Sequence, residues 1–100
     1  SGSGTTLFPA GIAQKAYAVG AKVVHIGSNP NSPLKDIVEF MVRIPVRTKN
    51  YLPDEIDSAQ PMTSLFEQSL LLLGDAAAKM MIDRRALDMK ALWQYHANLE

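Results

Sequence analysis

The chain opens with a short stretch of glycines and hydroxyl side chains that could bind a phosphate group. The stretch reads Ser1-Gly2-Ser3-Gly4-Thr5-Thr6. Glycines allow tight backbone turns, and hydroxyl and N–H groups at the start of a helix can surround a phosphate. Alternating serine and glycine is equally typical of an artificial linker, so these residues alone leave both interpretations open. The segments that follow favour a phosphate-binding loop.

The composition favours one small folded domain. Of the 100 residues, 47% are apolar, which is enough for a core and too many for a disordered chain. Ten basic residues balance ten acidic ones, so no net field attracts nucleic acid or an anionic membrane. The sequence contains no cysteine, which excludes disulfides, thiolate metal sites and a cysteine nucleophile. We expect a cytoplasmic protein, with which these features are compatible.

A first helix is expected to begin at Thr5 or Thr6, directly behind the glycines, and to run to Val19. Pro9 fits only the first turn, where its missing N–H costs nothing, and Gly20 suits the C-terminal cap. Helical spacing predicts one apolar face, made of Phe8, Ile12, Ala16 and Val19.

Two short apolar segments predict parallel strands. Lys22–Gly27 is rich in β-branched residues and suits a strand covered on both faces, and Phe40–Ile44 is the second candidate. Between them, Ser32 could cap a short helix over Pro33–Val38. A helix between two such strands predicts a parallel crossover unit.

The rest of the chain predicts an exposed excursion and two further helices. Val46–Gln60 carries many charges and is interpreted as exposed. Met62–Asp83 has helical spacing, with Thr63 or Ser64 as its cap, and a shorter helix begins at Asp88. Charged residues interrupt the apolar stretch of the long helix, which excludes a membrane span. Its apolar stripe, expected in a core or a subunit interface, consists of Leu65, Phe66, Leu70, Leu73, Ala77, Met80 and Met81.

The order of these elements predicts half of a doubly wound α/β fold. In such folds, ligands bind beyond the carboxyl ends of the parallel strands. The opening loop would lie at that edge if a further strand preceded it. We therefore expect the chain to be part of a larger domain.

Several stretches together resemble the second half of a SIS (sugar isomerase) domain. They are the opening loop, Gly20–Val24 and Ser28–Pro30. The segment Gln60–Gln68 and the ending His96–Glu100 closely resemble the 6-phospho-3-hexuloisomerase family. The resemblance covers the whole chain. It implies a flavodoxin-like αβα sandwich with a parallel sheet, of which the C-terminal half is present, with family-specific helices after about residue 61.

The same resemblance implies an enzyme and a substrate. Members of this family interconvert D-arabino-hex-3-ulose 6-phosphate and D-fructose 6-phosphate through a cis-enediol, without metal or organic cofactor. The resemblance also implies a homotetramer and, in formaldehyde-assimilating organisms, a place in the ribulose monophosphate route. Neither nucleic acid nor a membrane is expected as a partner.

The resemblance further assigns candidate roles to individual residues. Glu67 stands at the position of the family's proton acceptor, whereas the residues alone identify Ser64-x-x-Glu67 as a capping box, and both roles can coexist. His96 is either a catalytic or substrate contact or a surface or packing histidine. The residues expected to bind the phosphate and the sugar are Ser1, Gly2, Ser3, Gly4, Thr5 and Thr6.

Other residues carry weaker expectations. The family commonly has Glu at the position of Thr6, which puts full activity or substrate identity in question. His25 lies inside a strand that we expect to be buried and is interpreted as structural. Arg43, Arg47 and Lys49 are interpreted as a solvated edge and are not included in the site.

Two alternatives to the enzyme remain. The first is a SIS module that binds a sugar phosphate without turning it over, as regulatory members do. The second is an inactive piece that oligomerises or aggregates by itself, because a sheet edge and the apolar helix faces would lack partners. Glu67 and the ending from His96 to Glu100 favour the enzyme over the non-catalytic module.

Overall fold

The computed structural model describes residues 1–96 and has an α/β architecture with a parallel sheet. Its elements are helix α1 (Leu7–Ala18), strands β1 (Val24–Gly27) and β2 (Phe40–Arg43), helix α2 (Ser64–Arg84) and a 3₁₀ helix (Ala91–Tyr95). The backbone forms two compact units, Ser1–Leu70 and the residues from Leu71 onward. The predicted fold class is confirmed, because a parallel sheet and two α-helices are consistent with part of a flavodoxin-like SIS fold.

Helix α1 ends as its sequence predicts. Gly20 has a φ of +86°, and its N–H donates to the Tyr17 carbonyl over 2.9 Å, while the Ala21 N–H donates to the Ala16 carbonyl over 3.0 Å. This pair of bonds is a Schellman motif, which satisfies the last carbonyls of a helix.

The apolar face predicted for α1 is present, and it is exposed. Phe8 and Ile12 are 79% and 71% exposed, and α1 has no buried residue among those described. Instead, Pro9 and Ala13 line a cavity together with residues of β1, including His25. The helix therefore turns a side with small residues toward the strand, and its large apolar side chains face outward.

Strands β1 and β2 pair in parallel, as predicted. His25 is opposite Met41 and Gly27 is opposite Arg43. The Ile44 N–H donates to the Gly27 carbonyl over 2.9 Å, which continues the ladder just beyond β2. This register brings the end of β1 beside Arg43.

The helix predicted over Pro33–Val38 is wrong, because successive turns connect the strands there. Asn29 Oδ1 accepts a bond from the Asn31 N–H, and Ser32 Oγ accepts one from the Leu34 N–H over 3.4 Å. Such bonds from side chain to backbone compete with helix formation. Ser32 therefore stabilises a turn, and its predicted role as a helix cap is wrong.

The segment predicted as an exposed excursion is partly buried. Val46 and Thr48 are both buried, and Val46 forms an isolated parallel bridge with Ile56. Within the described residues, the buried apolar side chains are those of Leu34, Val46 and Phe66. The segment thus supplies part of the small core on which the opening loop rests.

Helix α2 confirms the predicted long helix, although it begins two residues later and ends one residue later than predicted. Of its predicted apolar stripe, Phe66 is buried, whereas Leu70, Met80 and Met81 are exposed. The 3₁₀ helix begins three residues after the predicted start at Asp88, whose carboxylate accepts a bond from the Lys90 N–H over 2.9 Å. Over residues 1–96, no helix combines the length and hydropathy needed to cross a lipid bilayer.

Candidate functional site

The opening loop is held in place by hydrogen bonds to three of its successive backbone carbonyls. His25 Nε2 donates to the Ser1 carbonyl over 2.7 Å, and the Ser28 N–H donates to the Gly2 carbonyl over 2.8 Å. Asn29 Nδ2 donates to the Ser3 carbonyl over 3.2 Å. All three donors belong to β1 or to the turn that follows it. The loop is therefore fixed at the carboxyl end of a parallel strand, where ligands bind in α/β folds.

Bonds within the loop fix its shape further. The Gly4 N–H donates to the Ser1 carbonyl over 3.2 Å, and Gly4 has a φ of +67°. Ser3 Oγ accepts a bond from the Thr5 N–H and lies 3.0 Å from Thr5 Oγ1. Ser1 Oγ donates to Thr6 Oγ1 over 3.3 Å. The four hydroxyls thus occupy a compact, hydrogen-bonded turn.

The tethered carbonyls determine where the next peptide N–H groups point. In a trans peptide the C=O and the following N–H point in opposite directions, and the described residues contain no cis bond. The N–H groups of Gly2 and Ser3 therefore point away from the donors that hold the carbonyls of Ser1 and Gly2. This orientation suits an anion approaching the loop from the side opposite β1.

Thr6 occupies the N-cap position of α1, but its side chain makes no capping bond. An N-cap side chain normally accepts from the second or third N–H of the helix. The third helical residue is Pro9, which has no N–H. The Thr6 side chain therefore does not cap α1, and its hydroxyl accepts a hydrogen bond from Ser1 instead.

A cavity of about 330 Å³ adjoins this loop. It is bounded by the loop, by the turn at Thr48 and Lys49, and by the start of α2, with buried Phe66 among its lining residues. Its polar lining residues are Ser1, Ser3, Thr6, Thr48, Lys49, Thr63 and Glu67. A cavity with several hydroxyls, one ammonium and one carboxylate could bind a phosphorylated polyol.

Glu67 lies at the edge of this cavity and is exposed. Its Oε1 accepts a 2.9 Å hydrogen bond from the Thr63 hydroxyl. The capping box predicted between Ser64 and Glu67 is not the arrangement observed, because Ser64 Oγ donates to the Pro61 carbonyl over 2.6 Å. Thr63 therefore replaces Ser64 as the partner of the carboxylate.

Hydrogen bonds through Ser28 connect the turn at Thr48 and Lys49 to the opening loop. Thr48 is buried, and its Oγ1 lies 3.0 Å from the Oγ of Ser28, which has no exposed surface. Ser28 Oγ also donates to the Gly2 carbonyl over 3.4 Å. Ser28 thus connects the loop with the Thr48 turn, and Lys49 follows directly at the cavity.

The two arginines near this turn are engaged elsewhere. Arg43 forms a 2.7 Å ion pair with Asp54, and this hydrogen bond raises the pKa of Arg43 and lowers that of Asp54. Arg47 pairs with Asp57, and its guanidinium lies 4.5 Å from the centre of the Tyr51 ring. Both arginines therefore form ion pairs with aspartates, whereas Lys49 lines the cavity.

The structure brings together most of the predicted site residues. Ser1, Gly2, Ser3 and Thr6 line the same cavity as Glu67. Gly4 and Thr5 belong to the loop and fix its conformation. Three further lining residues were not among the predicted site residues: Lys49 was interpreted as part of a solvated edge, Thr63 as a possible helix cap, and Thr48 was given no role. The position of Thr48 depends on its contact with Ser28, which is remote in the sequence.

His96 is described with the second compact unit. Its ring centre lies 5.1 Å from that of Trp93, with a 45° angle between the planes. This contact fits the packing role that the sequence left open, while the catalytic role stays a prediction. The other residues of the predicted ending, Ala97 to Glu100, lie outside the described residues.

Comparison with known proteins supports the resemblance seen in the sequence. No protein-family model matches the chain. It is 35% identical to a 3-hexulose-6-phosphate isomerase of Bacillus subtilis (strain 168), and 37% and 31% identical to proteins of that name from Mycobacterium gastri and Methylomonas aminofaciens. Each comparison covers all of this chain and 54%, 50% and 53% of the relative, respectively.

The chain is therefore a homologue of proteins named 3-hexulose-6-phosphate isomerase, which is another name for 6-phospho-3-hexuloisomerase. This confirms the resemblance inferred from the sequence. The chain spans about half the length of the curated relatives that it matches, a share consistent with a C-terminal portion.

Proposed function

We propose that the complete protein is a sugar-phosphate isomerase that interconverts D-arabino-hex-3-ulose 6-phosphate and D-fructose 6-phosphate. The observation that carries this proposal is the shared cavity of the opening loop and Glu67. The names of three homologues support the same reaction class. In this proposal, residues 1–100 form the C-terminal portion of a single SIS domain in a cytoplasmic homotetramer.

The phosphate is the handle of the substrate and does not react. It lies on C6, whereas the reaction exchanges the carbonyl between C3 and C2. The N–H groups of Gly2 and Ser3 and the loop hydroxyls hold the phosphate, and Lys49 supplies a positive charge at the same cavity. Binding of a remote group can position the reacting carbons and so contribute to the rate.

Glu67 moves the proton between the two carbons. Starting from the 3-ulose, its carboxylate removes the proton from C2 while the C3 carbonyl oxygen takes up a proton, and a 2,3-cis-enediol forms. The O2 hydroxyl then loses its proton, Glu67 returns a proton to C3, and the carbonyl ends at C2. No atom is gained or lost. The bond from Thr63 fixes the carboxylate in position for both transfers.

Deuterium exchange tests this function directly. The complete natural protein is incubated with fructose 6-phosphate in deuterated water, and the substrate is examined by NMR. The proposal expects solvent deuterium at C3, because the reverse reaction removes that proton. Binding of fructose 6-phosphate without exchange would exclude the isomerase.

A non-catalytic sugar-phosphate module is the second candidate. The presence of Thr6 where the resembling family commonly has Glu favours it, because a carboxylate that helps bind or ionise the sugar would be missing. The anchored loop would serve a binding module equally well. Isothermal titration with fructose 6-phosphate, combined with the exchange experiment, separates the two functions.

A further inference from the structure

His25 contacts the opening loop from inside the sheet. It is the second residue of β1 and is only 5% exposed. Its Nε2 lies 2.7 Å from the carbonyl oxygen of Ser1. Because a carbonyl oxygen only accepts hydrogen bonds, this contact requires a hydrogen on Nε2.

The imidazole fills the space between β1 and the loop. A Cβ atom added to Gly27 would lie 2.5 Å from His25 Nε2 and 2.7 Å from the Gly2 carbonyl oxygen. A Cβ atom added to Gly4 would lie 2.9 Å from His25 Cε1. Glycine at both positions therefore leaves the room that the ring occupies. Because the ring packs this closely against the loop, it restricts the position that the loop can take.

We propose that His25 is a positioning residue for phosphate binding. By donating from Nε2, it fixes the Ser1 carbonyl and thereby orients the N–H of Gly2 toward the anion. This role rests on the proposed function of the loop as a phosphate site, and it assigns His25 no contact with the substrate. The sequence alone indicated a structural histidine with no connection to the site.

His25 binds the first of the three carbonyls that hold the opening loop, the carbonyl of Ser1. The carbonyls of Gly2 and Ser3 accept hydrogen bonds from the turn after β1, whereas the carbonyl of Ser1 accepts one from His25, a residue of the strand itself. Ser1 also accepts the bond from the Gly4 N–H that closes the turn. Loss of the His25 donor would therefore loosen the point at which the loop closes.

Two substitutions of matched length test this role. In His25→Gln, an amide nitrogen stands as many bonds from Cα as Nε2 does, so the donor is retained. His25→Met has similar length and no donor. Both variants of the complete natural protein are titrated with inorganic phosphate by calorimetry, and kcat and KM are measured with fructose 6-phosphate.

The Met variant is expected to bind phosphate about tenfold more weakly, because one hydrogen bond to the loop is lost. Its KM rises by a similar factor, while kcat stays within about twofold, because the reacting groups are untouched. His25→Gln retains affinity within about threefold of the parent. A merely structural role would lower the folded fraction, and thus kcat, and leave the affinity of the folded protein unchanged.

The proposal is overturned if folded His25→Met binds phosphate as tightly as the parent, or if Gln and Met weaken binding equally. Should His25→Met not fold, His25→Asn replaces it, because its amide is one atom too short to reach Ser1. Weaker phosphate binding in a protein that shows no deuterium exchange would support the role of His25 and reject the isomerase.

Discussion

The Thr63 hydroxyl donates a 2.9 Å hydrogen bond to Glu67 Oε1, and both residues line the cavity beside the opening loop. Thr63 precedes the first residue of α2, and Glu67 lies in the first turn of that helix. The bond orients the carboxylate relative to the helix start. It engages Oε1, so Oε2 is the oxygen that we expect to exchange the proton with the substrate.

Replacing Glu67 by Gln is expected to abolish turnover. The amide keeps the size of the side chain and removes its ability to accept a proton, so kcat should fall by about 10²- to 10⁴-fold. Glu67 is exposed, so the melting temperature should change little. Asp75→Asn, an exposed carboxylate elsewhere on α2, is the matched control and should keep full activity. Near-parental activity in Glu67→Gln would remove this residue from the mechanism.

Replacing Lys49 by Met is expected to weaken substrate binding. Loss of one charge-assisted contact to the phosphate should raise KM about tenfold and leave kcat nearly unchanged. The KM of the parent should rise with salt concentration more steeply than that of the variant. Lys35→Met removes an exposed ammonium that does not line the cavity and should leave KM unchanged. An equal effect of both substitutions would show that Lys49 does not contact the phosphate.

Alanine at Gly4 is expected to destabilise the protein. A Cβ atom there would lie 2.4 Å from the Cβ of buried Ser32, and the φ of +67° is itself unfavourable for alanine. We expect a loss of about 2–4 kcal/mol in the free energy of unfolding, measured with urea. In Gly11→Ala, the added atom meets nothing within 4 Å, and the helix should gain about 0.5–1 kcal/mol. Equal stability of the two variants would contradict the observed loop conformation.

The ion pair of Arg43 and Asp54 is expected to make stability depend on pH. The bond to Arg43 lowers the pKa of Asp54, so its contribution is present above the unfolded pKa of about 3.9 and is lost as the pH falls through the lower folded value. Asp54→Asn should therefore melt slightly below the parent near pH 7 and together with it in strong acid. A constant difference in melting temperature across this range would contradict the assignment.

The 100-residue chain by itself is expected to form oligomers. In the first unit Leu7 and Phe8 are 78% and 79% exposed, and in the second unit Trp93 is 70% exposed. Exposed apolar groups of this size are costly in water and favour association. Light scattering coupled to gel filtration should give a mass above the 10.9 kDa of one chain. A monomer that melts in one sharp transition would contradict this expectation.

The local pattern of the sequence predicted much of the fold. The β-branched residues of β1 and the glycine after α1 were sufficient to place those elements, because both signals depend on neighbouring residues alone. The failed helix over Pro33–Val38 shows the limit of such signals. Asn29 and Ser32 bond to the backbone nearby and so favour turns over a helix.

The candidate site was predictable only where a motif marked it. The loop residues were proposed from their glycines and hydroxyls and Glu67 from the family resemblance, and the structure places Ser1 and Glu67 at one cavity. Thr48 was given no role and Lys49 was interpreted as part of a solvated edge, because the position of this turn depends on the contact of Thr48 with Ser28, 20 residues away along the chain. The orientation of the apolar face of α1 likewise depends on what packs beside the helix, which spacing alone does not reveal.

The anchored carbonyls of the opening loop have a consequence for selectivity. A loop that already has its bound shape loses little binding energy in ordering itself, so its hold on a phosphate depends little on the attached sugar. We therefore expect phosphate esters of different sugars to be captured with similar strength. Discrimination among them then falls to side chains that meet the carbon skeleton, for which Thr6 and Glu67 are the candidates.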